Sequence, residues 1–410
     1  MKPYPAYKDS GIEWIGKIPT HWKLKRLKYI FNFNTGWTPP TGNSEYFTGK
    51  NKWVNIGDLN EKFIYNTQNY ISDRAIQESR IKLSPRFSLM YSFKLTVGKV
   101  AFAGCDLYTN EAIISILPND KDNLQFYYYL LPEILTYNSR ENIYGANLLN
   151  QDLIKNSYLL LPPPEEQKII ARFLDEKICQ IDSIISKKEK IIELLKEERT
   201  AVINEAVTKG LNPNAEMKDS GIEWIKKIPK HWEVERLKSV CTFAYGDSLS
   251  NEYRIEGNVP VYGSNGIVGY HNKAITEKPC IIIGRKGSFG KINFSEAECF
   301  PIDTTYFIDS RFAKCDLKWL NYVLSLLELD MFSNDTGVPG LNRDNAHNKR
   351  IPLPNINEQK IIADYLDRKT AEIDSQIENM TRAIGCLKEY RTALISEVVT
   401  GKIDVREYAV

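Results

Sequence analysis

The sequence lacks the residue patterns from which most catalysts are built. Its seven cysteines are an odd count, scattered along 410 residues with no C-x-x-C pair. That argues against a disulfide framework and against a zinc site, and leaves buried free thiols as the expectation. Only four histidines occur, two of them in a copied His-Trp pair, and none forms an H-x-x-x-H or Cys/His cluster. No G-x-S-x-G elbow and no N-P-P-Y-type motif is present. The run IIIGRKGSFGKI (Ile281 to Ile292) imitates a phosphate loop. Its glycine spacing is one residue too long, however, and Ile292 stands where Ser or Thr would hold magnesium. GSNGIVG (Gly263 to Gly269) misses the dinucleotide pattern. Catalytic residues, a metal site and a cofactor of its own are therefore not expected in this chain.

Long apolar runs are missing as well. Cys280 to Ile283 and Tyr158 to Leu161 are the longest, far short of the ~20 residues of a membrane span, and MKPYPAYKDS has no signal-like apolar stretch. No membrane partner and a cytoplasmic location are the expectation. Nor is one sign of charge in excess: 54 Lys and Arg face 52 Asp and Glu, a net +2. A nucleic-acid surface, if present, must then be a local patch.

What the sequence has is a copy of itself. KDSGIEWIGKIPTHWKLKRLK (Lys8 to Lys28) returns as KDSGIEWIKKIPKHWEVERLK (Lys218 to Lys238), identical at 16 of 21 positions. EEQKIIARFLDEKICQIDS from Glu165 is restated by NEQKIIADYLDRKTAEIDS from Asn357. The offset is 210 in the first pair and 192 in the second, so the first half carries eighteen more residues, between Gly36 and Gly98, than the second carries between Gly246 and Gly290. A doubled plan with divergent interiors follows. Its segments are an N-terminal motif (1–28), a first globular domain (29–160), a central long helix (161–209), a linker with the repeated motif (210–238), a second globular domain (239–352), a C-terminal long helix (353–402) and a tail (403–410).

Within each copied motif, Ser10 and Glu13, or Ser220 and Glu223, have the spacing of a capping box and predict a helical turn ended by Pro19 or Pro229. The tryptophans read as packing anchors. The divergent domains carry β-branched and aromatic runs bounded by Gly, Asn and Pro. They are Lys52 to Ile56, Ser88 to Phe93, Lys99 to Ala103 and Ala112 to Leu117, then Val259 to Tyr262, Pro279 to Ile283, Lys291 to Phe294 and Thr304 to Ile308. These predict mostly β domains, each followed by a helix at Leu124 to Leu131 and Leu317 to Leu329.

In the first long helix, Leu174, Ile178, Ile181, Ile185, Lys188, Ile192, Leu195, Arg199, Val202 and Ala206 step alternately by four and three residues. Leu366, Thr370, Ile373, Ile377, Met380, Ile384, Leu387, Arg391, Leu394 and Val398 repeat the pattern in the second. Two matched heptad seams in one chain predict an antiparallel coiled coil with a pseudo-twofold axis, holding two globular domains apart. Lys188 and the paired Arg199 and Arg391 interrupt the seam, either fixing its register or lying at its solvated edge. Glu166 and Glu358, in the first turns, are assigned to the helix dipole rather than to a nuclease site. The fold class expected is α+β: two mostly-β domains joined by two long helices.

With SGIEWI and the following IP-x-HW at Ser10 and Ser220, LPPPEEQKII at Leu161, LPNINEQKII at Leu353 and TGKIDVR at Thr400, the chain resembles the specificity subunit of Type I restriction-modification systems over essentially its full length. The resemblance implies two target-recognition domains reading a split, asymmetric sequence in double-stranded DNA, with a gap set by the helix pair. It also implies docking of two methyltransferase (modification) subunits and of restriction/translocase subunits, with S-adenosylmethionine, ATP and magnesium on those partners. The alternative from another class is a coiled-coil adaptor without DNA readout.

Candidate DNA contacts come from matched segments. SFKLTVGK (Ser92 to Lys99) overlays GRKGSFGK (Gly284 to Lys291), bringing forward Lys94, Lys99, Arg285, Lys286 and Lys291 as phosphate or base-edge contacts, or as a solvated hairpin. YGANLLNQD overlays TGVPGLNRD, matching Asn150 with Asn342 and Gln151 with Arg343 in a loop that suits base contacts or a turn. Ser264 and Asn265 sit in a glycine-rich stretch that would approach phosphate or form a turn.

Overall fold

The computed structural model describes residues 2–119, 123–138, 140–141, 147–331 and 340–408. Two compact units divide the chain: Met1–Lys187 with Ala383–Val410, and Lys188–Arg382. Each long helix, Pro164–Lys209 and Ile356–Val399, contributes to both units.

The first unit is built on a five-stranded sheet in the order Phe33–Thr35, Ile113–Ile116, Leu89–Ser92, Val100–Ala103 and Phe63–Ile64. Leu89–Ser92 and Ile113–Ile116 are buried at every position, which explains why they read as unbroken apolar runs rather than alternating ones. Helix Leu124–Leu135 packs on this sheet. A smaller sheet, Tyr108–Thr109, Asn51–Val54 and Asn69–Ile71, contributes Val54 to the same core as Met90, Ala101 and Ile113.

The second unit repeats the plan. Strands Ala244–Tyr245, Thr305–Ile308, Cys280–Gly284 and Ile292–Ser295 form the main sheet, and Gly266–His271, Val259–Gly263 and Phe300–Pro301 the smaller one. The buried strand alternates its faces: Ile281 and Ile283 pack with Trp319, Leu320 and Val323 of helix Leu317–Ser325, whereas Cys280 and Ile282 pack with Tyr262 and Cys299. This is the two-residue period of a strand with both faces covered. All eight predicted strands and both predicted helices are found within a few residues of their expected ends.

The copied motif departs from expectation. It is a β-hairpin, Tyr7–Asp9 with Lys17–Pro19 and Met217–Ile222 with Ile225–Pro229, and not a capped helical turn. Ser10 and Ser220 accept the amides of Ile12 and Ile222 two residues on, and Asp9 and Asp219 accept those of Gly11 and Gly221. With Gly11 and Gly221 at φ of +73° and +63°, the side chains satisfy a reverse turn in place of a helix N-terminus. A second short strand, Lys23–Arg26 or Glu233–Arg236, pairs with the strand that leads into the long helix, Tyr158–Leu161 or Arg350–Leu353.

In each unit the two long helices run antiparallel. Phe173 packs against Tyr408, just beyond the second helix, with the rings tilted, and Asp182 accepts from Arg391 in the first. Lys188 lies 3.4 Å from the Met380 sulfur and Arg199 grips Asp374 in the second. Seam residues Leu174, Ile178, Ile181, Ile185, Leu195, Leu366, Ile373 and Ile384 are buried, while Ile192, Ile377, Met380 and Leu387 are half-buried. The two arginines thus lie at the edge of the seam in matched ion pairs, Asp182 and Asp374 being repeat equivalents. Exposed on both sides, each pair contributes at most about 1 kcal/mol.

Free thiols are only partly buried, contrary to expectation. Cys241, Cys280 and Cys299 are inside, but Cys179 and Cys386 are exposed on the outer faces of the long helices, off the seam.

Candidate nucleic-acid interface

The helix starts hold the scaffold together in a way the dipole argument does not anticipate. Glu166 is buried and accepts three hydrogen bonds, from Tyr4 Oη (2.6 Å), His21 Nε2 (2.8 Å) and Trp22 Nε1 (3.0 Å). Burial, reinforced by the bond to Glu166, pushes the Tyr4 phenol far above its ordinary value. Among the described residues of the second unit, Glu358 takes only His231 at 3.1 Å, and the Trp232 indole nitrogen is buried without a partner. Glu166 does lie in the first turn of the long helix, as expected, and it is also the acceptor that fastens the N-terminal motif.

The neighbouring glutamines are matched more closely. Gln167 accepts the amide of Asn123 and donates to the Pro162 carbonyl, both at 3.0 Å. Gln359 accepts the amide of Asp316 at 2.9 Å and donates to Pro354 at 2.8 Å. Asn123 and Asp316 are the N-caps of the two domain helices. One buried amide therefore ties each globular domain to its long helix, a role no local pattern announces.

On this scaffold the candidate contacts occupy turns. Two hairpins, Leu89–Ser92 with Val100–Ala103 and Cys280–Gly284 with Ile292–Ser295, are equivalent at the 192 offset. Both turn through matched glycines of positive φ, Gly98 at +97° and Gly290 at +76°. A Cβ on Gly290 would lie 2.3 Å from the Asp330 nitrogen, so no other residue fits there. In the first turn Lys94 is exposed beside Phe93, Leu95 projects into solvent, and Lys99 donates to Asn60 Oδ1 at 3.0 Å. In the second, Lys286 is exposed and Lys291 donates to Asn265 Oδ1 at 2.8 Å. Ser264 Oγ faces Gly287 across the turn of the smaller sheet.

Asn150 and Asn342 are N-caps of short helices, accepting from Leu153 at 2.8 Å and from Asp344 and Asn345 at 3.0 Å. Their carbonyl oxygens are thereby engaged in capping. Gln151, the next residue, lies on a cavity of about 380 Å³ shared with Trp37, Arg80, Lys82 and Lys155, none of which the sequence patterns brought forward. Tyr144 to Ala146 of the first matched loop lie outside the described residues.

The second domain gathers its candidates. The Leu341 amide donates to the Arg285 carbonyl at 2.9 Å, and Lys286 bridges Gly340, so the loop bearing Arg343 is sewn to the hairpin turn. Both guanidinium groups then sit over one exposed ring: Arg285 Cζ is 5.3 Å and Arg343 Cζ 5.1 Å from the centre of Tyr245. Tyr306 backs the ring at 5.0 Å. Burial pushes its phenol up to about 12, contact with Tyr245 adds to this, and the two arginines oppose it. Tyr245 and Tyr306 were missed because no spacing rule links them to the arginines.

Among the described residues no group of three His, Cys, Asp or Glu side chains is placed to hold a metal, and no helix is long and apolar enough to cross a membrane. The clustered groups are cations, amides and aromatic faces presented on turns of two unlike β domains. Such an arrangement defines a surface that binds and recognises.

Comparison with known proteins gives that class its family. The model of the Type I restriction modification DNA specificity domain matches residues 19–196 and 229–381. The chain belongs to this family and is a DNA sequence-specificity subunit, itself non-catalytic. It is 26% identical to the Type I restriction enzyme MjaIX specificity subunit of Methanocaldococcus jannaschii, with 96% of each chain covered. To the EcoBI specificity subunit of Escherichia coli it is 24% identical, covering 72% of this chain and 69% of that one. Among solved structures, a chain from work on assembly and conformational transition of the type I R-M system superimposes with a TM-score of 0.73 at 17% identity, covering 94% of this chain and 99% of that one. The HsdS subunit from Thermoanaerobacter tengcongensis gives 0.56 at 18% identity, covering 94% and 98%. At these identities the structural likeness is one of fold.

Proposed function

We propose that each globular domain reads one half of an asymmetric bipartite sequence in duplex DNA, while the antiparallel helix pair sets the unread gap between the halves. The observation that carries this reading is the contrast between copied scaffold and altered turns. The hairpin, the capping asparagine and the glutamine tie recur in both halves, yet Phe93 is replaced by Arg285, Gln151 by Arg343 and Thr35 by Tyr245. Two identical readers would serve a palindrome; unlike readers on one frame serve two different half-sites.

Linking the readers is physically worthwhile. At roughly 1 to 3 kcal/mol per mismatched pair, a half-site of a few base pairs discriminates poorly against a genome, and two linked half-sites multiply their ratios. Lys94, Lys99, Lys286 and Lys291, with Ser264, Asn265, Asn150 and Asn342, are assigned to positioning contacts with the backbone and groove edges. The copied hairpins and helices offer near-equivalent surfaces for two methyltransferase subunits, with restriction/translocase subunits joining through them.

Selection from a randomised duplex pool by this chain with its methyltransferase tests the reading. Two unlike short motifs at one fixed gap support it. No enrichment by an intact complex defeats it and leaves a protein-only adaptor.

A further inference from the structure

Arg285 and Arg343 are 58 residues apart in sequence yet share the face of Tyr245. Among the described residues neither guanidinium has a carboxylate within ion-pair distance, unlike those of Arg74 and Arg311. Two like charges held together without a counter-charge are unfavourable unless a third, acceptor-rich body completes them. The backbone holds both in place. The Arg285 amide donates to Thr304 at 2.8 Å, its carbonyl accepts from Leu341, and Arg343 opens a helix capped by Asn342. The Arg285 Nε is buried with no acceptor among the described residues.

Stacking engages the flat face of a guanidinium and leaves its edge of N–H donors free, already oriented. A phosphate contact needs only a flexible point charge. A fixed planar fork suits the N7 and O6 acceptors of guanine in the major groove. Because each Cζ lies within 5.3 Å of one ring centre, the two are at most twice that distance apart, which is about three base-pair steps of roughly 3.4 Å.

We propose that Arg285 and Arg343, positioned by Tyr245, read guanines in the major groove of the second domain's half-site, so that two G·C pairs fall there within three steps of each other. The first domain carries Phe93, Gln151 and Thr35 at the equivalent places and reads its half-site by other chemistry. This inference rests on the DNA-reading function proposed above.

The test repeats duplex selection with the full chain and its methyltransferase, using R285K, R343K, Y245F and Y245A. Wild type should select a motif with two G·C pairs at that spacing. Each lysine variant should lose preference at one of them by about five- to a hundredfold, with the salt dependence kept. Y245A should relax both positions and Y245F neither. The other motif should survive in every variant, certifying that each is folded and still reads DNA. A wild-type motif lacking such G·C pairs would overturn the inference alone. So would lysine variants with unchanged motifs, or R285A and R343A variants that each weaken all duplexes equally and lower the salt slope by about one. Absence of both motifs from wild type would instead overturn the DNA-reading function itself.

Discussion

The Glu166 carboxylate accepts the indole hydrogen of Trp22 at 3.0 Å, inside a core where Tyr4 and His21 converge on the same side chain. Glu358 stands at the equivalent place with one exposed histidine for company. The two halves share a sequence motif here but not an energy.

Replacing Glu166 by alanine strands the Trp22 and Tyr4 donors in the core, each costing about 1 to 3 kcal/mol. E166A is therefore expected to lower the unfolding temperature strongly. In E358A the partly exposed pair with His231 is lost, at no more than about 1 kcal/mol. Thermal unfolding of the two variants side by side checks the difference; equal shifts would contradict it.

Acid should weaken the second domain through Asp309. Burial alone would raise its pKa, but hydrogen bonds from the Arg311 side chain and from the Glu277 and Arg311 amides outweigh this and hold it below the ordinary carboxylate value. A depressed folded pKa stabilises the native state above the unfolded value, near 4, and that contribution is lost as pH falls through the folded one. Stability measured from pH 6 down to pH 2 should fall below pH ~4 in wild type, and D309N should show a shallower fall from a lower starting point.

Native thiol labelling should follow burial. Cys179 and Cys386 are expected to react promptly, while Cys241, whose thiol burial holds far up from its usual range, and the enclosed Cys280 and Cys299 should react only on unfolding. Mass spectrometry of the modified peptides reads this directly, and early labelling of Cys241 would contradict the packing described.

Much of this architecture was legible because it rests on periodic burial. Ile281, Ile282 and Ile283 announce a strand covered on both faces, and the steps from Leu174 to Leu195 announce a seam. The hairpin of the copied motif was not legible, because a serine satisfies backbone amides equally well in a turn and at a helix start. The strand pairing and the positive φ at Gly11 and Gly221 separate the two. The fastening roles of Glu166 and Gln167 were passed over because their partners, Tyr4, Trp22 and Asn123, lie more than forty residues away. The candidate interface suffered the same limit. Arg285 and Arg343 stood out as residue types, but the ring of Tyr245 that unites them is set by sheet pairing with Tyr306.

The ruler claim is tested most directly by removing Ile181–Lys187 together with the facing Cys386–Thr392, a matched heptad bracketed by the Asp182 and Arg391 contact. Seven residues at ~1.5 Å each shorten the pair by roughly 10 Å, close to three base-pair steps. Duplex selection by the shortened chain with its methyltransferase should return both original motifs with the gap reduced by about two to three base pairs. Both motifs at the original gap, from an intact complex, would contradict the account.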